Sequence, residues 1–189
     1  MRKLLKCDIY QLSRGGFTLL ELLVVISIIG IFTAVTIGAM SDSRENAQAA
    51  RAVADAREVV NTVVLYLTDT KRLPPTCDAS CTAANDPFLV APSGVGNWAG
   101  PYQSVWNKEH PWGGTISIWN YTGGFYITFD DDRSGSGGAD DGGQIPVSAL
   151  EQMDQILDDG NLATGDFIGN DTDGSGFCAV GEGCWRIRF

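Results

Sequence analysis

The stretch "SRGGFTLLELLVV", residues 13–25, passes from a basic residue and two glycines into hydrocarbon broken only by Glu21. From residue 22 to Met40 no other charge occurs. A carboxylate in so apolar a segment is costly unless neutralised, so it points to a role and a partner. As a helix, the 24 residues 17–40 would extend about 36 Å, enough to cross a bilayer's hydrocarbon core.

The flanks are polarised. Residues 1–16 carry Arg2, Lys3, Lys6 and Arg14 against Asp8, a net of +3. The whole chain is −10, which leaves −13 for the remainder. A basic end before an apolar run predicts that this end stays in the cytoplasm and the acidic bulk lies outside. Lys and Arg do not cluster in that bulk, which argues against nucleic-acid binding by the head. An ordinary secretory leader is cut after its apolar region. Here the small pair Gly15-Gly16 precedes that region, and a cut there would leave the apolar segment on the mature chain.

Beyond Met40, Ala49, Val53, Ala56, Val60, Val63 and Leu67 recur at the spacing of one helical face. No proline occurs from Phe17 to Leu73, and Pro74-Pro75 follows as a stop. The pattern predicts one helix from about residue 17 to about residue 71, apolar at first, amphipathic over 41–73, and on the order of 80 Å long. Gly30 and Gly38 are its weak points.

The remaining segment, 74–189, is glycine-rich and should be built of loops and short strands. Strands are predicted over 115–121 and 125–129, joined through Thr122-Gly123-Gly124, with another at 184–189. Within 145–160 the spacing predicts a short helix capped by Ser148, with Glu151 completing a capping box and Gly160 ending it. The fold class is therefore α+β. Besides Cys7, four cysteines allow three pairings, of which the local Cys77–Cys81 and Cys178–Cys184 are expected in an oxidising compartment. A zinc site from the same thiols is the alternative, but the spacings are not those of a zinc ribbon.

The run Gly16-Phe17-Thr18-Leu19-Leu20-Glu21 resembles the processing site of type IV prepilins and type II secretion pseudopilins. The resemblance implies cleavage between Gly16 and Phe17 by a membrane-embedded aspartyl peptidase, and N-methylation at Phe17. Glu21 then becomes the fifth residue of the mature chain. It implies a pilin-like lollipop: a leader over 1–16, a transmembrane and filament-core helix over 17–40, its amphipathic continuation over 41–73, and a β-rich periplasmic head over 74–189. The implied location is the bacterial inner membrane, as a single pass with the head outside the cytoplasm. The implied partners are further copies of the chain in a helical filament, prepilin peptidase, an inner-membrane assembly platform and minor pilin-like subunits.

The physics of Glu21 fits. A freed amine on Phe17 of one subunit can neutralise Glu21 of its neighbour, cancelling two charges that a dry environment punishes. Self-pairing is also open, since four residues of helix rise only ~6 Å. "GPY" at 100–102 and "HPWGG" at 110–114 are similar to a loop of major pseudopilins, with His110 where that family usually has aspartate. "LDDGNLATG", 157–165, also looks like a phrase found near the carboxyl end of some pilin-like proteins. The family's mid-helix proline is absent, and Gly38 stands near its place.

Major pseudopilins bind calcium in a carboxyl-terminal loop, so acidic loops are candidates for a structural calcium, with no other cofactor required. Calcium takes six to eight oxygens from flexible loops. The candidates are Asp130, Asp131 and Asp132 with Asp140 and Asp141; Asp158 and Asp159 with Asp166; and Asp171 with Asp173. Plain solvation of an acidic domain is the competing reading. Core packing accounts for most of the aromatics between Trp98 and Tyr126. His110 has no nucleophile signature near it, and the chain is not expected to be an enzyme. The expected function is a type II secretion pseudopilus subunit. The alternatives are a type IV pilus subunit for adhesion, motility or DNA uptake, and a membrane-anchored binding domain that never polymerises.

Overall fold

The proline-free run folds as one helix. A computed structural model describes residues 16–106, 108–135, 142–172 and 178–189, without the side chains of 35–42. Helix α1 spans Leu19–Thr70, 52 residues. It ends where Lys71 turns left-handed at φ 58, ahead of Pro74-Pro75. The chain divides into two compact units, Met1–Asp42 and Ser43–Phe189.

In the first unit the apolar side chains from Phe17 to Phe32 are all exposed. The hydroxyls among them are satisfied within the helix: Ser27 donates to the Leu23 carbonyl at 2.7 Å and Thr33 to the Ile29 carbonyl at 2.7 Å. Among the described residues no helix is long and apolar enough to cross a membrane; the described side chains of the apolar run end at Ala34.

In the second unit α1 turns one face inward. Ala49, Ala52, Val53, Ala56, Val59, Val63 and Tyr66 are buried in one core. The period is the expected one, but the face is rotated: Val59 and Tyr66 are buried, whereas Val60 and Leu67 are only half-buried. Two residues per turn can share a seam, and the aromatic pocket favours Tyr66. Its ring sits edge-on to Phe88 at 6.2 Å and to Tyr102 at 5.7 Å.

Strands β1 (Lys108–Glu109), β2 (Thr115–Tyr121), β3 (Gly124–Asp130), β4 (Phe167–Gly169) and β5 (Gly183–Ile187) form one antiparallel sheet, ordered β1-β2-β3-β5-β4. The β2–β3 hairpin is tighter than expected. Gly124 already pairs with Tyr121, so Thr122-Gly123 alone form the loop. The last strand begins at Gly183 and stops at Ile187, short of residue 189. Alternation sends Ile116, Ile118, Phe125, Ile127, Phe129 and Phe167 to the core with α1. Tyr126, Cys184 and Cys178 form a smaller cluster with Trp119 and Ile168.

Helix α2, Val147–Leu157, adds Ala149, Leu150 and Met153 to the main core. Its start corrects the sequence reading. Pro146 is the N-cap and no side chain caps the helix. Ser148 lies inside the first turn, and its hydroxyl donates to Glu45 of α1. Proline at φ −56, ψ 142 already holds the entry geometry, which frees the serine for a tertiary bond. Both local disulfides form, Cys77–Cys81 and Cys178–Cys184, so these thiols are not free for zinc. The Cys77 backbone also exchanges two hydrogen bonds with Ile118, at 2.9 Å each.

Phe129 is 0 % exposed and its ring lies 6.1 Å from that of Phe167. Phe129→Ala should lower unfolding stability by about 3–5 kcal/mol, measured by urea denaturation. A loss below about 1 kcal/mol would show that this core is not built as described.

Candidate functional site

At the start of α1 the chain satisfies its own polar groups. Thr18 donates to Glu21 Oε2 from both its backbone N–H and its hydroxyl, at 2.9 Å each. The Glu21 N–H donates back to Thr18 Oγ1 at 3.2 Å. This reciprocal Thr-x-x-Glu arrangement is a capping box, which satisfies orphan N–H groups of the first turn. Both bonds fall on Oε2. Among the described residues, Oε1 accepts no hydrogen bond. Gly16 and Phe17, on either side of the expected cut, are exposed, and nothing lies within 4 Å of a side chain built at Gly16.

The two loops compared with major pseudopilins both serve the head's packing. Tyr102 donates its hydroxyl to Asp69 of α1 at 3.0 Å and accepts from the Ala99 N–H at 2.9 Å. Its own N–H donates to the Phe88 carbonyl at 2.7 Å. His110 is buried. Its Nε2 meets the Asp130 carbonyl at 2.9 Å, and Nδ1 accepts from the Trp112 N–H at 3.3 Å. Those partners fix the Nε2–H tautomer, and burial depresses the pKa, so the ring is neutral. Gly114 is required beside it, because a Cβ there would come within 2.0 Å of the Asp130 carbonyl oxygen.

The acidic candidates regroup. Asp130 and Asp131 gather with Glu182, one carboxylate oxygen of each within 4.8 Å of the others. Asp132 is buried, and its N–H donates to Asp130 Oδ1 at 3.1 Å. Asp158 and Asp159 gather with Asp154, again within 4.8 Å. Asp166 faces Arg188, which donates at 2.9 Å from Nε. Asp171 is held in the left-handed region at φ 50, and its N–H donates to the Cys178 carbonyl at 2.7 Å. Asp140, Asp141 and Asp173 lie outside the described residues.

Three participants escape a sequence reading centred on loops. Thr18 was marked by its three-residue spacing to Glu21. Asp154 was marked by lying four residues before Asp158, on the same helical face. Glu182 carries no local signal, since strand pairing brings it to Asp130. Burial pushes Glu182 up from 4.5 to about 7, helped by the Asp130 and Asp131 charges and a hydrogen bond with Asp131. Burial likewise raises Asp130 from 3.8 to about 6, with the neighbouring Asp132, Asp131 and Asp78 charges adding to it.

The prokaryotic N-terminal methylation motif matches residues 12–37. The chain is also 33% identical to type II secretion system core protein G of Aeromonas hydrophila, over 73% of that protein and 49% of this chain. No solved structure matches it. The exposed apolar helix start, the capped glutamate and the sheet-backed head thus occur in a chain that belongs to the type IV pilin and type II secretion pseudopilin family. That family is structural rather than enzymatic.

Raised carboxyl pKa values mean that the folded head holds these protons more tightly than the unfolded chain does. Their contribution to stability is full below the unfolded values and fades as pH rises through the folded ones. In EDTA, the melting temperature should therefore fall between about pH 4.5 and about 7. Glu182→Gln should flatten that fall and raise the melting temperature at neutral pH. An identical pH profile for the variant and the parent would refute this assignment.

Proposed function

We propose that this chain is a subunit of a type II secretion pseudopilus. It is cut after Gly16, methylated at Phe17, held in the inner membrane by residues 17–40 as a single pass, and then polymerised through that segment. The observation that carries this reading is the state of Glu21. It is the one charge in an exposed apolar run, and its capping box leaves one carboxylate oxygen available. The methylated amine of a neighbouring Phe17 is a cation of the right reach to meet it, and pairing between subunits would set axial register. Removal of the apolar face from lipid into a helical bundle keeps it dry, and the self-bonded Ser27 and Thr33 add no unsatisfied polar group.

The likeness to core protein G favours a secretion pseudopilus over a surface pilus. The head supplies packing rather than catalysis, with its sole histidine neutral and bonded on both nitrogens. Prepilin peptidase, an assembly platform, minor pilin-like subunits and a separate cytoplasmic ATPase complete the machine.

Two measurements test this. The intact mass of the native protein should start at Phe17 and carry one added methyl group and two disulfides. Glu21→Ala should insert normally but abolish filament formation and export of the secreted proteins. A retained leader, removal of 17–40, or undiminished filaments from Glu21→Ala would each refute the reading. Long filaments on the cell surface with normal export would transfer it to a type IV pilus.

A further inference from the structure

Helix α2 carries no charges suited to its own ends. Its first turn contains no acidic residue, its last turn no basic one, and no side chain caps its start. A helix leaves its first N–H and last C=O groups without intrahelical partners. The start is therefore partly positive and the end partly negative.

Helix α1 supplies what α2 lacks. Ser148 donates its hydroxyl to Glu45 Oε1, which brings a carboxylate to the positive end of α2. Arg57 Nη2 donates to the Ile156 carbonyl at 3.3 Å, which brings a cation to the negative end. The Asp154 carbonyl in that last turn is already taken by the Asp158 N–H at 2.6 Å. The earlier residue of α1 meets the start of α2 and the later one its end, so the two helices run in the same sense. Only this sense matches the charges. With α2 reversed, Glu45 would face orphan carbonyls.

The exchange also serves α1. The compact unit of the head begins at Ser43, but among the described residues the buried face of α1 begins at Ala49. Ser43, Arg44, Asn46 and Ala47 are exposed, and Glu45 and Gln48 are half-buried. Helical turns without buried apolar contacts open locally at little cost. The start of α2, by contrast, is seated in the core by Ala149 and Leu150. The bond from Ser148 to Glu45 therefore ties the loosely held turns of α1 to a firmly held one.

We propose that α1 and α2 form a two-point clamp, Glu45 with Ser148 and Arg57 with Ile156. In it α1 supplies both end charges of α2, and α2 in return fixes the place where α1 joins the head. Residues 43–48 and the first turns of α2 then open and close as one unit, independently of the β2–β3 hairpin. Axial load on α1 is passed to the head at Glu45 rather than unwinding the turns before Ala49. The clamp is internal to the head and does not depend on the assembly reading.

The test is amide hydrogen exchange read by mass spectrometry on the full-length chain in detergent. Glu45→Ala and Ser148→Ala should each speed exchange over residues 43–49 and the first turns of α2 by about fivefold, the factor that one hydrogen bond is worth. Alanine is the best helix former, so neither substitution weakens its own helix through propensity. The double variant should exchange no faster than either single one, because both remove the same bond. Glu45→Gln keeps an acceptor for the Ser148 hydroxyl and should fall between the parent and Glu45→Ala. Arg57→Ala should speed exchange at the carboxyl end of α2. Unchanged exchange over 43–49 in both single variants overturns the clamp. So do effects that multiply in the double variant, which would mean that Glu45 and Ser148 act apart. An equal rise across β2 and β3 also overturns it, since that marks a general loss of stability.

Discussion

The head is organised by the burial of one face of α1 in a core shared with a small sheet. Ala49, Ala52 and Ala56 are fully buried, and these small side chains share one core with Ile116, Ile118, Ile127 and Phe129 of β2 and β3. Larger residues at those positions would force the helix outward and open voids around Val53 and Val63. Other parts of the head complete this core. α2 closes one side with Leu150 and Met153, and Tyr66, Phe88 and Tyr102 pack at the far end with interlocked rings. Asp69 on α1 accepts the Tyr102 hydroxyl, so the same helix that forms the core also anchors the loop over it.

His110 shows how a departure from the family pattern is absorbed. An acidic residue is usual at this place, yet the imidazole donates from Nε2 to the Asp130 carbonyl and accepts at Nδ1 from Trp112. A neutral ring that both donates and accepts can bridge the turn at residues 110–114 and the end of β3. It does so beside a group of carboxylates that already repel one another, where one more negative charge would add to the strain.

Much of this was readable locally. The long helix, the β2–β3 hairpin and both disulfides depend on residues close in sequence, namely a proline-free run, a glycine turn and cysteines four and six apart. Capping chemistry shows where such reading fails. The spacing of Ser148 to Glu151 suggested a cap that Pro146 provides instead, whereas the same spacing from Thr18 to Glu21 formed one in a segment read for its apolar run and its lone carboxylate but not for capping. The inward face of α1 shifted by one residue, because Tyr66 found an aromatic pocket that periodicity cannot foresee. Glu182 was invisible for a deeper reason: its proximity to Asp130 exists only once β5 has paired with β3.

The two hydroxyls turned back on α1 have a mechanical consequence. With Ser27 and Thr33 closed on their own carbonyls, that stretch shows a neighbour aliphatic and aromatic groups that offer it no directional polar bond. Between two such rods the side chains fit as ridges and grooves, while a polar contact that names one register is on offer at Glu21, near the tip. Shape fit and charge fit are thereby placed on different parts of one helix.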